Sequence, residues 1–118
     1  MVIREKVIEY THTLKDAKVD KPFKKFPDYE VFRHKSNGKW FGLLMSVEKN
    51  KLGLASTDSV ENIDLKLDPE MISILKKGVG YFPAYHMNKN HWITVILDGS
   101  IETEQIINLL EESYHLTS

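Results

Sequence analysis

The spacing of apolar residues predicts an amphipathic helix near each end of the chain. Residues 2 to 15 carry an apolar side chain every three or four residues, at Ile3, Val7, Tyr10 and Leu14. Residues 102 to about 115 show the same helical spacing, at Ile106, Ile107, Leu109, Leu110 and Tyr114. Each helix is therefore expected to pack one apolar stripe against a core. Residues 16 to 29 have no sustained period and predict an extended loop.

Alternating apolar and polar residues then predict a β-hairpin. Asn37-Gly38 separates two alternating runs, and this pair favours a two-residue type I′ turn, because both turn positions need a positive φ angle. Such a turn pairs His34 with Phe41 and Phe32 with Leu43. The core face then holds Phe32, His34, Phe41, Leu43, Met45 and Val47. The opposite face is mixed, basic and aromatic, and holds Val31, Arg33, Lys35, Trp40, Gly42 and Leu44.

Three more strands and a middle helix follow the hairpin. A turn at Lys49-Asn50 predicts a third strand, with Leu52 opposite Val47 and Leu54 opposite Met45. The alternation in residues 63–67 predicts a fourth strand, and the apolar run 92–97 predicts a central strand. The middle helix is predicted from its end signals, which are Asp68 as N-cap, Pro69 at the first helical position and Lys76-Lys77-Gly78 at the end.

These elements give the order α-β-β-β-β-α-β-α. The fold class is therefore α+β, with an antiparallel-dominated sheet and helices packed mainly on one of its faces. A chain of 118 residues has the size of one domain, so residues 1–118 are expected to form a single domain.

Composition narrows the class of protein. The chain is 42% hydrophobic and 28% charged, as ordinary soluble domains are, and no run approaches the ~18 apolar residues of a membrane-spanning helix. The N-terminal residues lack the apolar core of a signal peptide, and the absence of cysteine excludes disulfides and thiolate metal sites. We therefore expect a cytoplasmic protein without a membrane partner.

Charge is unevenly distributed along the chain. The net charge is −1, but residues 1–60 hold twelve Lys/Arg against eight Asp/Glu, a balance of +4. Residues 61–118 hold four against nine, a balance of −5. The near-neutral total argues against tight nonspecific binding of nucleic acid, because phosphate neutralisation drives that association. The asymmetry nevertheless allows one basic face and one acidic face.

No catalytic or metal-binding pattern emerges from the polar residues. His86 and His91 are five residues apart, a spacing that suits neither one helical face nor one strand face, and no carboxylate lies between Gly80 and Leu97. The chain has no G-x-S-x-G elbow, and Gly78-Val79-Gly80 follows a helix instead of opening one. We expect no enzymatic activity, no metal and no cofactor.

The basic and aromatic hairpin face is the candidate for binding. A two-stranded ribbon of this kind can lie along a groove, with lysines on phosphates and an aromatic ring stacked on bases. The residues proposed to contact nucleic acid are Lys24, Lys25, Arg33, Lys35, Lys39, Trp40, Lys89 and His91. In the alternative interpretation Arg33 packs on Trp40 as a cation–π pair, and the lysines only keep sheet edges from pairing.

The stretch "PAYHMNKNHW", residues 83–92, is the densest run of polar and aromatic side chains. It is predicted to be an entry loop into the central strand, in which Asn88 or Asn90 adopts a left-handed conformation. Trp92 is expected to pack in the core.

Together with "FPDYEVFRHKSNGKWFGLLMSV", "LKLDPEMISIL" and "IINLLEESYHL", this stretch makes the chain resemble the MmcQ/YjbR family over nearly its whole length. The resemblance implies an α+β fold similar to that of type III secretion chaperones, and a double-wing arrangement associated with DNA binding. It implies no catalytic residue. The matching motif residues are Tyr85, His86, Asn88, Lys89, His91 and Trp92.

Two functional hypotheses follow. The first is a small bacterial DNA-binding protein that uses the hairpin surface. The second is a protein-interaction module without a nucleic-acid or catalytic role, such as a homodimer that pairs an open sheet face through Val31, Trp40 and Leu44.

Overall fold

Three helices lie on one face of a six-stranded antiparallel sheet in the computed structural model, which describes residues 2–118. The helices are α1 (Ile3–Thr11), α2 (Pro69–Leu75) and α3 (Thr103–Thr117). The strands are β1 (Ala17–Asp20), β2 (Glu30–His34), β3 (Trp40–Glu48), β4 (Ser59–Lys66), β5 (Tyr81–Pro83) and β6 (Trp92–Ile96). Their order across the sheet is β1-β2-β3-β4-β6-β5. The predicted α+β class is confirmed.

All three predicted helices form, although α1 ends at Thr11, four residues before the end of its predicted range. The middle helix α2 begins at Pro69 after the extended residue Asp68, although the Asp68 side chain makes no capping hydrogen bond. The predicted central strand forms as β6, with all five residues buried and with Ile93 and Val95 in the core under the helices. None of the helices in residues 2–118 is long and apolar enough to cross a membrane.

Three features of the strand order differ from the prediction. Residues 81–83 form an unpredicted edge strand, β5, which pairs with β6. Residues 17–20 form an edge strand and not a loop, and they pair with β2 through Ala17–His34 to Asp20–Val31. The turn at Lys49-Asn50 leads into a short 3-10 turn, residues 49–52, and not into a strand. The chain leaves this turn through Gly53, whose φ angle is 90°, so the partner of Val47 is Val60 and not Leu52.

The hairpin between β2 and β3 forms, but its predicted register is wrong. Phe32 pairs with Gly42 and Arg33 pairs with Trp40, so Phe41 is an extra residue on β3. Because of this β-bulge, the residues of β3 after Phe41 face the opposite sides of the sheet from those that regular alternation would give. Leu44 consequently lies on the helix side, while Leu43 and its neighbours Met45 and Val47 lie on the other side. The loop is also longer than two residues, since the Gly38 N–H donates to the carbonyl of His34.

The tip of this hairpin is fastened to the end of α3. The Asn37 side-chain amide donates to the carbonyl of Thr117 over 3.0 Å. Nε2 of the buried His34 lies 2.8 Å from the Thr117 hydroxyl and 3.0 Å from the Tyr114 carbonyl. These contacts give partners to carbonyl groups that the last helical turn would otherwise leave free. The hairpin is therefore part of the framework and not a free arm.

Candidate functional site

The sheet face opposite the helices, which we call the loop face, is covered by two loops. It carries a second apolar cluster, formed by Tyr29, Val31, Leu43, Met45 and Val47. The loop of residues 21–29 covers it from one side with Phe23, and the loop of residues 84–91 covers it from the other side with Tyr85 and Met87. Residues far apart in the sequence therefore meet on this face.

A pocket of about 340 Å³ opens between these two loops. Four of its seven lining residues are phenylalanine, tyrosine or tryptophan, and His86 supplies the polar ring. The lining residues are Phe23, Phe26, Tyr29, Trp40, Leu43, His86 and Met87. Its volume lies at the lower end of the range for small-ligand pockets, ~300 to 1,000 Å³.

The aromatic rings of the pocket hold one another in defined orientations. Phe23 stands edge-on to Tyr29, with ring centroids 6.1 Å apart, and edge-on to Trp40, with centroids 6.0 Å apart. Phe26 stacks on Tyr29 at 4.7 Å with an interplanar angle of 19°. Phe26 is nevertheless 47% exposed. One stacking ring therefore faces solvent at the mouth of the pocket.

The loop of residues 84–91 is held by its own polar groups. The Asn88 side-chain oxygen accepts hydrogen bonds from the backbone N–H groups of Asn90, at 2.8 Å, and His91, at 3.2 Å. The Lys89 ammonium donates to the carbonyl of Ala84 over 2.8 Å. The left-handed residue is His86, with a φ angle of 71°, so the prediction that Asn88 or Asn90 adopts this conformation is wrong. Asn88 stabilises the turn through the hydrogen bonds of its side chain instead.

A buried polar cluster lies in the sheet on the same face. Asp64 on β4 and Thr94 on β6 are paired neighbours, and both are fully buried. The Thr94 hydroxyl donates to Asp64 Oδ1 over 2.5 Å and accepts the Tyr85 backbone N–H over 2.9 Å. The second carboxylate oxygen, Oδ2, has no hydrogen-bond partner within the described residues, and neither does the side-chain oxygen of Asn62, two residues earlier.

Burial perturbs the ionisation of this cluster. It raises the pKa of the Asp64 carboxyl to about 7, against smaller lowering effects of the Thr94 hydroxyl and the Lys89 ammonium. Burial also raises the pKa of Tyr29, and the nearby Tyr85 and Asp64 raise it further. Perturbed titrating groups next to a pocket are typical of functional sites. Both loops of the pocket therefore sit beside a carboxyl group that changes charge near neutral pH.

The predicted contact lysines are all exposed. Lys24 and Lys25 are exposed and stand in the chain between the pocket residues Phe23 and Phe26. Lys35 and Lys39 are exposed on the hairpin loop. One further predicted contact, Lys89, lies in the other pocket loop, two residues after Met87.

The predicted contacts Arg33 and Trp40 are engaged within the fold. Arg33 is half-buried and forms an ion pair with Asp20 on the neighbouring strand β1. Trp40 is half-buried and packs edge-on against Phe23 in the pocket wall. Neither side chain projects freely from the hairpin, which distinguishes them from the surrounding lysines.

The remaining motif residues divide between surface and core. His91 is exposed, and its carbonyl accepts a hydrogen bond from the Leu67 N–H over 3.0 Å. Trp92 is buried at the start of β6, as predicted. The ring of Tyr85 lies against that of His86, with centroids 3.9 Å apart.

The open sheet face proposed for a homodimer is not present. Val31 and Leu44 are both fully buried, and Leu44 points to the helix side. The two loops cover the face on which Val31 and Trp40 lie.

The sequence displays the polar motif but not most of the pocket, because the pocket residues come from three separate segments. Phe23 and Phe26 lie within residues 16–29, where the sequence predicts an extended loop. The available signal was their position on either side of Lys24-Lys25. Asp64 alternates with the apolar residues Ile63 and Leu65 along β4, yet it is buried because loops cover its side of the sheet as well.

Known proteins share both the sequence and the fold. The YjbR family model matches residues 12–116. The uncharacterised protein YyaQ of Bacillus subtilis is 38% identical over 117 residues, which is 99% of each chain. A crystal structure of a Pseudomonas syringae protein superposes with a TM-score of 0.92 at 47% identity, covering 98% of each chain. Protein DR2400 of Deinococcus radiodurans, with a DUF419 domain, gives a TM-score of 0.75 at 26% identity, covering 96% of this chain and 76% of its own. The chain therefore belongs to the YjbR family.

Proposed function

We propose that this protein binds nucleic acid through the loop face of its sheet. One observation carries the proposal: lysines without acidic partners stand on the loop that also supplies three of the four aromatic side chains of the pocket. Cations that contact phosphates and rings that stack on bases are the two elements of single-strand recognition. The cytoplasmic location predicted from the sequence is part of this proposal, and no catalytic step is assigned.

The ion pairs of the protein support this assignment. Among residues 2–118, the side-chain ion pairs are Arg4 with Glu30 and Glu61, Arg33 with Asp20, and His115 with Glu111. No lysine of the described chain takes part in one. Lysines that keep their charge free can neutralise phosphates and release counterions, which is the main electrostatic driving force for binding nucleic acid.

The distribution of charge also favours the loop face. On the opposite side of the sheet, α3 carries Glu104, Glu111 and Glu112 and no lysine or arginine. Nucleic acid would be repelled by this helix. Because the net charge is only −1, binding is expected to be modest in strength and steeply dependent on salt.

The hairpin contributes as a rigid border and not as an inserted wing. Its tip is bonded to the end of α3, and Arg33 is occupied by Asp20. Lys35 and Lys39 remain exposed near this tip, and the phosphate contacts beside the pocket are assigned to the loop with Lys24 and Lys25.

Fluorescence anisotropy with labelled DNA tests the proposal. The protein is titrated into a single strand of about 12 nucleotides, and into the matching duplex, at salt concentrations from about 50 to 200 mM. We expect the logarithm of the affinity to fall linearly with the logarithm of the salt concentration. The absence of any binding at the lowest salt would refute the proposal.

A matched pair of variants locates the surface. Lys24→Glu with Lys25→Glu reverses two exposed charges beside the pocket. The control is Lys76→Glu with Lys77→Glu, which reverses two exposed charges at the end of α2. Both double variants change the net charge equally, so only the location differs. We expect the first to weaken binding by roughly tenfold or more and the second to have a much smaller effect. Equal losses would assign the interaction to net charge and contradict the proposed surface.

The alternative function is homodimerisation through the helix side. Ile74 is 69% exposed and Val79 is 81% exposed, and a groove of about 410 Å³ runs between α2 and α3 beside Glu111 and Glu112. A second copy of the chain could place its Lys76-Lys77 against these glutamates. Light scattering tests this function directly: a dimer that Ile74→Lys converts to a monomer would favour it, and a wild-type monomer at high concentration would exclude it.

A further inference from the structure

We propose that the aromatic pocket binds one unstacked base of a single-stranded nucleic acid. This inference rests on the proposed function and names its substrate class. The pocket has a volume of about 340 Å³ and is lined by the rings of Phe23, Phe26, Tyr29 and Trp40. A flat aromatic group that enters it therefore meets rings on several sides.

The shape of the pocket mouth favours a stacked ligand. Phe26 already lies parallel to Tyr29 at 4.7 Å, yet 47% of its surface remains exposed. A second flat ring could stack on its open side in the same manner. Aromatic rings prefer offset stacks or edge-to-face contacts, and both arrangements are present within this wall.

Charge complementarity selects a nucleotide over other flat molecules. Lys24 and Lys25 stand directly between Phe23 and Phe26 in the chain, and both are exposed. A base seated among the rings would therefore have its phosphates next to two ammonium groups. A neutral flat ligand would gain no affinity from the two lysines. An anionic ligand without a ring would gain no affinity from the aromatic side chains of the pocket.

The opposite wall is pre-formed, which reduces the entropy lost on binding. His86 is held at a φ angle of 71° between a Tyr85 whose N–H is bonded to Thr94 and a loop closed by Asn88. A wall fixed in this way does not have to be ordered by the ligand.

These features predict a preference for single strands. A base in a duplex is paired and stacked on both faces, and entering the pocket would require it to leave the helix, which costs a few kcal/mol. Most of the lining is aromatic or apolar, and its polar side-chain groups belong to Tyr29, Trp40 and His86, so stacking is expected to dominate over recognition of base edges. Weak dependence on sequence is therefore expected.

An abasic strand separates this inference from the proposed function. It keeps the phosphates of the normal strand and lacks the bases. By anisotropy at constant salt, we expect the normal single strand to bind at least about fivefold more tightly than the abasic strand of equal length. Phe26→Ala should remove most of that difference. The matched control is Leu116→Ala, because Leu116 is also 47% exposed but lies on α3.

The outcomes are distinguishable. Equal binding of normal and abasic strands, with continued sensitivity to Lys24→Glu and Lys25→Glu, would overturn the pocket assignment and leave nucleic-acid binding standing. No binding of any strand at low salt would overturn both. Displacement of the strand by adenosine monophosphate at an equal concentration of bases would overturn the assignment to a strand in favour of a free nucleotide.

A measurement on the wild-type protein avoids the possibility that a variant loses binding because it misfolds. In a nuclear magnetic resonance titration with the single strand, the indole N–H of Trp40 should shift, while that of the buried Trp92 should not. The same titration with the abasic strand should leave the Trp40 signal largely in place. A Trp40 signal that responds equally to both strands would contradict binding of a base.

Discussion

Replacing Asp64 by asparagine should change how the stability of the protein depends on pH. Asp64 is fully buried beneath the loop of residues 84–91, and burial raises the pKa of its carboxyl from 3.8 to about 7. The folded state therefore holds the Asp64 proton at pH values where the unfolded chain has released it. Stability is highest below the unfolded pKa, declines as pH rises, and reaches its lower limit once pH exceeds the folded pKa.

The size of the effect follows from the difference between the two pKa values. Each pKa unit corresponds to about 1.4 kcal/mol, so a difference of roughly three units corresponds to about 4 kcal/mol over the whole titration. Roughly 2 to 3 kcal/mol of this is lost between about pH 5 and pH 8, since part of the titration lies below pH 5. The side chain of the Asp64→Asn variant cannot ionise, so the variant should lose none of this stability as pH rises.

The assay is urea unfolding at several pH values. The quantity compared is the free energy of unfolding of the variant minus that of the wild type, because shared titrations cancel in this difference. It should rise by roughly 2 to 3 kcal/mol from about pH 5 to pH 8. The control is Asp58→Asn, which removes an exposed carboxylate near the start of β4 and reports the effect of deleting one surface charge. A flat difference for Asp64→Asn would refute the raised pKa of this buried carboxyl.

Three further substitutions test the framework around the site. Thr94→Val should cost about 2 kcal/mol or more in urea unfolding, because it leaves both the Asp64 carboxyl and a backbone N–H without a buried partner; an unchanged midpoint would contradict the bonding. Gly42→Ala should cost about 1 to 3 kcal/mol, since the new Cβ would stand 2.8 Å from the ring of the fully buried Phe32; a neutral thermal melt would contradict the bulged register. Asn37→Ala should cost about 1 kcal/mol by loss of its bond to Thr117, with nucleic-acid affinity unchanged in the anisotropy assay.

The helices were predictable because their signals are local. Asp68-Pro69 determines where α2 begins, and the spacing of Ile106, Leu109 and Leu110 determines the buried side of α3. Each of these signals lies within a few residues of the element that it defines. No contact with a distant segment is needed to interpret them.

The hairpin register could not be predicted from alternation. Residues 41–45 of β3 are all buried, because helices cover one face of the sheet and loops cover the other. Alternation then gives no information on which residue points to which side. A strand with a bulge at Phe41 and a strand without one are equally compatible with this buried run. The position of the bulge depends on the contacts of Phe32 and Trp40 across the strands.

Even less of the candidate site could be predicted from the sequence. Tyr85, His86 and Lys89 stood out because they are close together in the sequence. Their partners in the pocket and in the polar cluster, such as Phe26 and Asp64, come from other segments and are brought near only by the order of the strands. Folding therefore creates a site of which the sequence displays only one side.

Mapping the bound surface by nuclear magnetic resonance is the most direct test of the central claim that the loop face binds nucleic acid. Backbone signals are followed while a single strand of about 12 nucleotides is added at low salt. If the loop face binds nucleic acid, we expect shifts at Lys24, Phe26, Trp40 and His86, and little change along α2 and α3. Shifts confined to those two helices, or no shifts at any strand concentration, would contradict it.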